Sequence, residues 1–287
     1  MPIVVPEVQT ALRAALQRIA SDNSLLLELL NYQSELGLMR HRESGAHWLS
    51  RLGLSGDPGR IMVTNGAQHG LASVLRTFAQ RGDVLLTESL GYHGLLPLAQ
   101  QLGLQVVGVD TDSEGLEPHA LQKAIRTYKP RWLYCIPTLQ MPTGTTMSTL
   151  RRKAVAAVLQ DCGVLLIEDC VHALLLDQPL PALSSWLPDR SFLLASLSKV
   201  VAPGLRQGYI EADPRWFGNL ASSIRADSLM TAPLLAEVVS QWFSMGCMDE
   251  LMDAQRRCIA RRRQIASEVL NASDAVRGGL LEYNAPP

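Results

Sequence analysis

The chain has 287 residues, of which 47% are hydrophobic and 18% charged, with a formal net charge of −1. This is the composition of a globular protein with one large domain or two modest ones, and it excludes a disordered or low-complexity chain. A net charge so close to zero offers no electrostatic hold on nucleic acid or on an anionic membrane surface.

The N-terminal stretch MPIVVPEVQTALRAAL has no basic region followed by an apolar core, so no signal peptide is expected. No apolar run approaches membrane-spanning length. Five cysteines (Cys135, Cys162, Cys170, Cys247, Cys258) form no CxxC pair, which predicts buried thiols in a reducing, cytoplasmic setting rather than disulfides or a zinc site. Lysine occurs at only four positions, 123, 129, 153 and 199, so a lysine with a special setting is easy to isolate.

In chain order, apolar spacing with Pro6 at the first turn predicts a helix over 5–20. IMVT from residue 61 reads as a strand, 67–80 as a helix ended by Gly82, and DVLLTE (83–88) as a buried strand. A helix near 93–103 precedes the strand LQVVGVD (104–110), and a helix near 116–128 precedes RWLYCIP (131–137). A helix over 148–160 leads to GVLLIED (163–169), SFLLAS (191–196) is a further strand, and 249–270 is a long helix. Continuous apolar strands between helices predict an α/β fold, a three-layer α/β/α arrangement around a mostly parallel sheet. Ligands of such sheets bind beyond the carboxyl ends of the strands. Asn65, Gln68, Tyr92, Thr138 to Thr143, Asp169 and Lys199 all fall at such ends.

Taken alone, Lys199 reads as a solvated charge, Asp169 as a turn cap and Tyr92 as core packing. Ser196-Leu-Ser-Lys199 also fits the S-x-x-K of serine β-lactam-binding enzymes. Those enzymes require a K-T-G as well, and no lysine here precedes Thr-Gly.

Together, VTNGAQHGL, ESLGYHGL, PTLQMPTGTTMS, LLIEDC and SLSKVVAPGLRQGY resemble, in order, the motifs of fold-type I pyridoxal-phosphate aminotransferases (class I/II). The likeness is greatest to the MocR-like and aminoadipate/kynurenine aminotransferase branch, and it spans roughly residues 30 to 270. It implies pyridoxal 5'-phosphate as cofactor, with Lys199 as the amine that condenses with its aldehyde and then moves the substrate α-proton. The phosphate seat would be the backbone of Gly66, Ala67 and Gln68 at a helix N-terminus, with Ser196, Ser198 and Arg206. Asp169 would face the pyridine nitrogen and Tyr92 the ring. Tyr32, five residues before Gly37, would reach the phosphate bound by the other subunit of a homodimer, although a surface tyrosine needs no such role.

The implied reaction is amino-group transfer between an amino acid and a 2-oxo acid. A lyase or decarboxylase, or a ligand-sensing domain of a MocR-type regulator with little turnover, remain the alternatives. The implied layout is an N-terminal helical segment (1–30), a cofactor-binding large domain (31–245), and a linking helix that opens a small domain largely absent from the chain (246–287). The carboxylate-binding arginine of that small domain is therefore not expected here, and the basic run at 256–263 reads as a solvated helix face. Leu280 and Leu281 would lie exposed unless covered by a partner. Two departures concern the cofactor's phenolic oxygen. Met141 stands where many relatives have Asn, and Cys170, Val171 and His172 follow Asp169 where the branch usually places a Tyr. His172 is a candidate substitute, whereas Tyr134 lies on a different stretch.

Overall fold

The computed structural model of the chain describes residues 4–271; Leu280 and Leu281 lie outside them. Helices α1 (Pro6–Ser21), α2 (Asn23–Leu30) and α3 (Met39–Ser50) precede strand β1 (Ile61–Thr64), which feeds α4 (Ala67–Phe78). Then come β2 (Val84–Glu88), α5 (Leu95–Leu102), β3 (Gln105–Val109) and a two-residue ladder of β4 (Thr111–Asp112) with β5 (Gly115–Leu116). The alternation continues through α6 (Pro118–Tyr128), β6 (Trp132–Cys135), α7 (Thr149–Cys162), β7 (Leu165–Asp169) and β8 (Ser191–Ser196). Strand β9 (Gly208–Ala212) and helices α8 (Phe217–Ser228), α9 (Pro233–Ser244) and α10 (Met248–Asn271) complete the described chain.

The helix ends follow from local chemistry. Proline opens α1, α6 and α9, where its missing N–H costs nothing. Ser148 caps α7 by accepting from the Arg151 amide, and Glu117 caps α6. Gly103 and Gly163 close α5 and α7 in the left-handed conformation.

One seven-stranded sheet has the order β1-β9-β8-β7-β6-β2-β3. Strand β9 is antiparallel to both its neighbours, and the other six run in one direction. On one face Met62, Leu85, Trp132, Ile167, Phe192 and Ile210 pack against α4, α5 and α8. The other face is covered in two parts. Ile61, Val63, Leu193 and Tyr209 meet α1, α3 and α9, while Leu86, Leu133 and Leu166 meet α6 and α7. The expected three-layer α/β/α architecture is therefore present. The buried face of α1 (Val8, Ala11, Ala15, Ile19) belongs to the same core as Val239 and Trp242 of α9.

No strand is expected over 208–212 from the local pattern, yet β9 lies there and packs against the β1–α4 turn. Gly208 of β9 lies against the β1–α4 turn so closely that a Cβ there would stand 2.7 Å from the Gly66 backbone. Only glycine permits that approach.

Candidate active site

The carboxyl ends of β1, β2, β6, β7 and β8 open onto one cavity of about 280 Å³. Ala67 and Gln68 line it after β1, Tyr92 and His93 after β2, Ile136 and Met141 after β6, and Asp169, Val171 and His172 at the end of β7. Ser196, Ser198, Lys199, Pro203 and Arg206 line it from the β8–β9 connection. This is where the topology of a doubly wound sheet puts a ligand.

One end of the cavity is built for an anion. Gly66 (φ 83°) is the N-cap of α4 and supplies no side-chain cap, so the first amides of that helix are left for a ligand. The Arg206 guanidinium stands over Gly66, and a Cβ on residue 66 would lie 2.7 Å from Nη2. Arg206 takes a left-handed backbone (φ 49°) at the end of the 3₁₀ turn Pro203–Leu205, and its side chain reaches Ser198 and Gly66. Its Nη1 donates to Ser198 Oγ at 3.2 Å. Ser196 Oγ donates to Ser198 Oγ at 2.9 Å and accepts from the Ser198 amide at 3.1 Å, so the two hydroxyls form a fixed pair.

Asp169 sits on the same cavity and is buried. Burial pushes its carboxyl above the usual range, against the opposing pull of the Tyr134 hydroxyl, the Val171 amide and the Lys199 charge. Tyr134 Oη donates to Asp169 Oδ2 at 2.7 Å, and the Val171 amide donates to Oδ1 at 3.1 Å. The carboxyl is thereby aimed and half satisfied. The pairing of β6 with β7 sets Tyr134 opposite Ile167, two residues before Asp169 and on the same face. Burial and the nearby Asp169 raise the Tyr134 hydroxyl well above its ordinary value, so it stays a donor.

Two further buried groups fix the walls. Arg152 is fully buried and donates to the carbonyls of Met147, Pro137 and Pro181 and to Thr138 Oγ1 at 2.7 Å, stapling the loop that carries Met141. Glu88 accepts from the Ile136 amide at 2.8 Å, and burial raises its carboxyl to about 7. Among the described residues no group of three or more His, Cys, Asp or Glu side chains could hold a metal ion.

A lysine, a buried carboxyl, two serine hydroxyls and an arginine thus line one cavity. The profile of the family described as aminotransferase class I and II matches residues 6–278. The chain belongs to this family. It is 31% identical over 242 residues to the HTH-type pyridoxine biosynthesis transcriptional regulator PdxR of Corynebacterium glutamicum, covering 83% of this chain and 52% of that protein. It is 25% identical over 260 residues to an aromatic amino acid aminotransferase of Schizosaccharomyces pombe, covering 79% and 54%. The α-aminoadipate aminotransferase LysN of Thermus thermophilus, solved with N-(5'-phosphopyridoxyl)-L-leucine, superposes with a TM-score of 0.89 at 24% identity over 100% of this chain and 73% of that one. The chain thus spans about half the length of the curated relatives it matches.

Within the aminotransferase fold, the expected site residues Ala67, Gln68, Tyr92, Asp169, Ser196, Ser198, Lys199 and Arg206 share one cavity, whereas Gly66, the N-cap just before Ala67, does not line it. Tyr32 does not line it; that side chain is 81% exposed just after α2. Arg256 corrects the reading of the basic run, because Nη2 donates to the carbonyls of Leu174 at 2.9 Å and Leu176 at 3.0 Å and so ties α10 to the loop after β7. Sequence reasoning gave no role to Tyr134 or Arg152. The signal available for Tyr134 was the two-residue period that puts it on the face of Asp169 once β6 and β7 are neighbours.

Proposed function

We propose that this chain binds pyridoxal 5'-phosphate at Lys199 and uses it to transfer an amino group between an amino acid and a 2-oxo acid. The observation that carries the reading is the meeting of Lys199, the buried Asp169 and Arg206 in a single cavity, with the Arg206 guanidinium standing over Gly66. The cofactor, when bound, supplies an electrophilic carbon for the amino group and a ring that accepts electrons.

The chain's own residues divide the remaining work. The α4 amides of Ala67 and Gln68, the serine pair and the Arg206 guanidinium would hold the phosphate with charge-assisted bonds. Asp169 would hold a proton on the ring nitrogen, and that cation would offset the burial that otherwise favours the neutral carboxyl. Tyr92 offers an aromatic face. Lys199 Nζ would hold the cofactor's aldehyde carbon at rest and, as a free amine, would serve as the base and acid that moves the substrate α-proton. Leu71, Ile136, Met141 and Val171 keep that part of the cavity apolar, which strengthens each of these electrostatic contacts.

We also take the protein to act as a cytoplasmic homodimer. The exposed Tyr32, unused by the cavity of its own chain, supports a contribution to the neighbouring one. A second reading is favoured by the similarity to a transcriptional regulator: a domain that binds the cofactor and an amine with little turnover. Adding pyridoxal phosphate should produce a visible absorption band, and a panel of amino acids should bleach it with release of 2-oxo acid. Spectral shifts without 2-oxo acid would select the sensor; no band at all would remove both readings.

A further inference from the structure

Resting on the cofactor assignment above, we propose that Gln140 is a positioning residue: it fixes Tyr92 in the cavity wall, and with it the aromatic face offered to bound pyridoxal phosphate. Residues 89–94, between β2 and α5, form no helix or strand, so Tyr92 takes its place from side-chain ties rather than from a ladder. Gln140 Nε2 donates to the Leu90 carbonyl at 2.6 Å, and Gln68 Nε2 donates to the Gly94 carbonyl at 3.3 Å. Those carbonyls lie two residues before and two residues after Tyr92, so one amide side chain pins each end of the arc that carries the ring. The ring lies back along that arc. A Cβ added at Gly94 would stand 2.5 Å from Tyr92 Cζ and Oη, so the ring follows wherever the arc is held.

Gln140 makes the shorter of the two ties, and it is itself firmly held. The residue is buried, its Oε1 accepts from the Thr143 amide at 3.1 Å and the Thr143 hydroxyl at 2.7 Å, and its backbone amide donates to the Thr145 carbonyl at 2.8 Å. With both lone pairs of Oε1 engaged, the N–H side of the amide is the part left for Leu90. A second bond crosses in the opposite sense. Glu88, at the end of β2, accepts from the Ile136 amide just after β6 at 2.8 Å. Each of the two loops thus sends one side chain to the backbone of the other, and the wall that contains Tyr92, Ile136 and Met141 is tied as one unit.

The test is a double-mutant cycle on pyridoxal phosphate affinity by equilibrium titration, joined to hydrogen exchange on the ligand-free protein. Gln140→Met, of similar length but without the amide, should weaken binding roughly threefold to tenfold, the scale of one neutral hydrogen bond. In a Tyr92→Leu background the same substitution should cost nothing further, because its effect runs through the ring. In the ligand-free protein Gln140→Met should speed exchange of the Leu95 amide, which donates to the Tyr92 carbonyl at 3.1 Å, and leave the Leu166 amide of β7 unchanged. Losses that multiply across the two substitutions would make Gln140 a general packing residue and overturn the proposal, as would undiminished affinity in Gln140→Met. If Gln140→Met does not fold, Gln140→Glu decides. Its ionised carboxylate still accepts from Thr143 but has no proton for Leu90, so it should show the same loss, and wild-type affinity would refute the tie. A wild type that binds no pyridoxal phosphate overturns the cofactor assignment instead, and the exchange measurement then decides alone: no change at Leu95 refutes the role of Gln140.

Discussion

Replacing Gly66 with alanine separates backbone strain from ligand binding at the anion cradle. Gly66 has φ 83° and ψ 167°, a region essentially confined to glycine. Holding an alanine there costs about 1–3 kcal/mol. In a chain of this size that corresponds to a loss of about 2–4 °C in Tm for each kcal/mol. The new Cβ would also stand 2.7 Å from Arg206 Nη2. The guanidinium is the far end of a flexible side chain, so it swings away at little cost to folding. The cost falls on binding instead. Loss of a charge-assisted bond to phosphate removes about 1.5–3 kcal/mol, or roughly tenfold to a hundredfold in Kd for pyridoxal phosphate. Calorimetry gives the first quantity and a cofactor titration the second. Arg206→Met should reproduce the affinity loss with little change in Tm, since the left-handed backbone at 206 is already occupied by a residue with a side chain. A Gly66→Ala protein with wild-type Tm and wild-type affinity would refute the reasoning, as would an Arg206→Met protein that binds as tightly as wild type.

Gly208→Ala should destabilise by about 1–3 kcal/mol, because its Cβ would meet the Gly66 backbone at 2.7 Å and the Ala195 carbonyl at 2.8 Å, neither of which can swing aside; an unchanged calorimetric Tm would contradict this. Tyr134→Phe leaves Asp169 Oδ2 without its 2.7 Å donor and should cost about 1–3 kcal/mol in chemical denaturation, and a cost near zero would show that the bond does not fix the carboxyl. Burial raises Glu88 to about 7 from 4.5, so the folded chain keeps a proton that the unfolded chain loses, and stability declines as pH rises across that window. Glu88→Gln should flatten the decline by an amount on the order of 3 kcal/mol, and parallel unfolding free energies for the two proteins from pH 4.5 to 7 would count against it.

The parallel part of the sheet is legible in the sequence because each strand is a short apolar run, and every connection but the β7–β8 step passes through a periodic helix. The residues at the strand ends stand out for the same reason, since polar groups such as Asp169 and Lys199 follow directly on runs such as LLIE and FLLAS. Strand β9 escapes this logic. GYIEA carries a glycine and a glutamate, and its place in the sheet is secured by pairing with β1 and β8 on both sides rather than by its own pattern. Glu211 there is balanced by Arg60, a pairing made across 151 residues that no local window contains. Tyr134 and Arg152 are hidden for a related reason. Their partners are a carboxyl on the adjacent strand and the carbonyls of a distant loop, and those contacts exist only once the register and the fold are set.

The central claim is that Lys199 carries the cofactor, and reductive trapping tests it most directly. The protein is incubated with pyridoxal phosphate and reduced with borohydride, then digested and the modified peptide sequenced. The account predicts one stable label, on the peptide containing Lys199, and its disappearance in Lys199→Ala. A label on Lys123, Lys129 or Lys153, or a band and label that persist in Lys199→Ala, would contradict it.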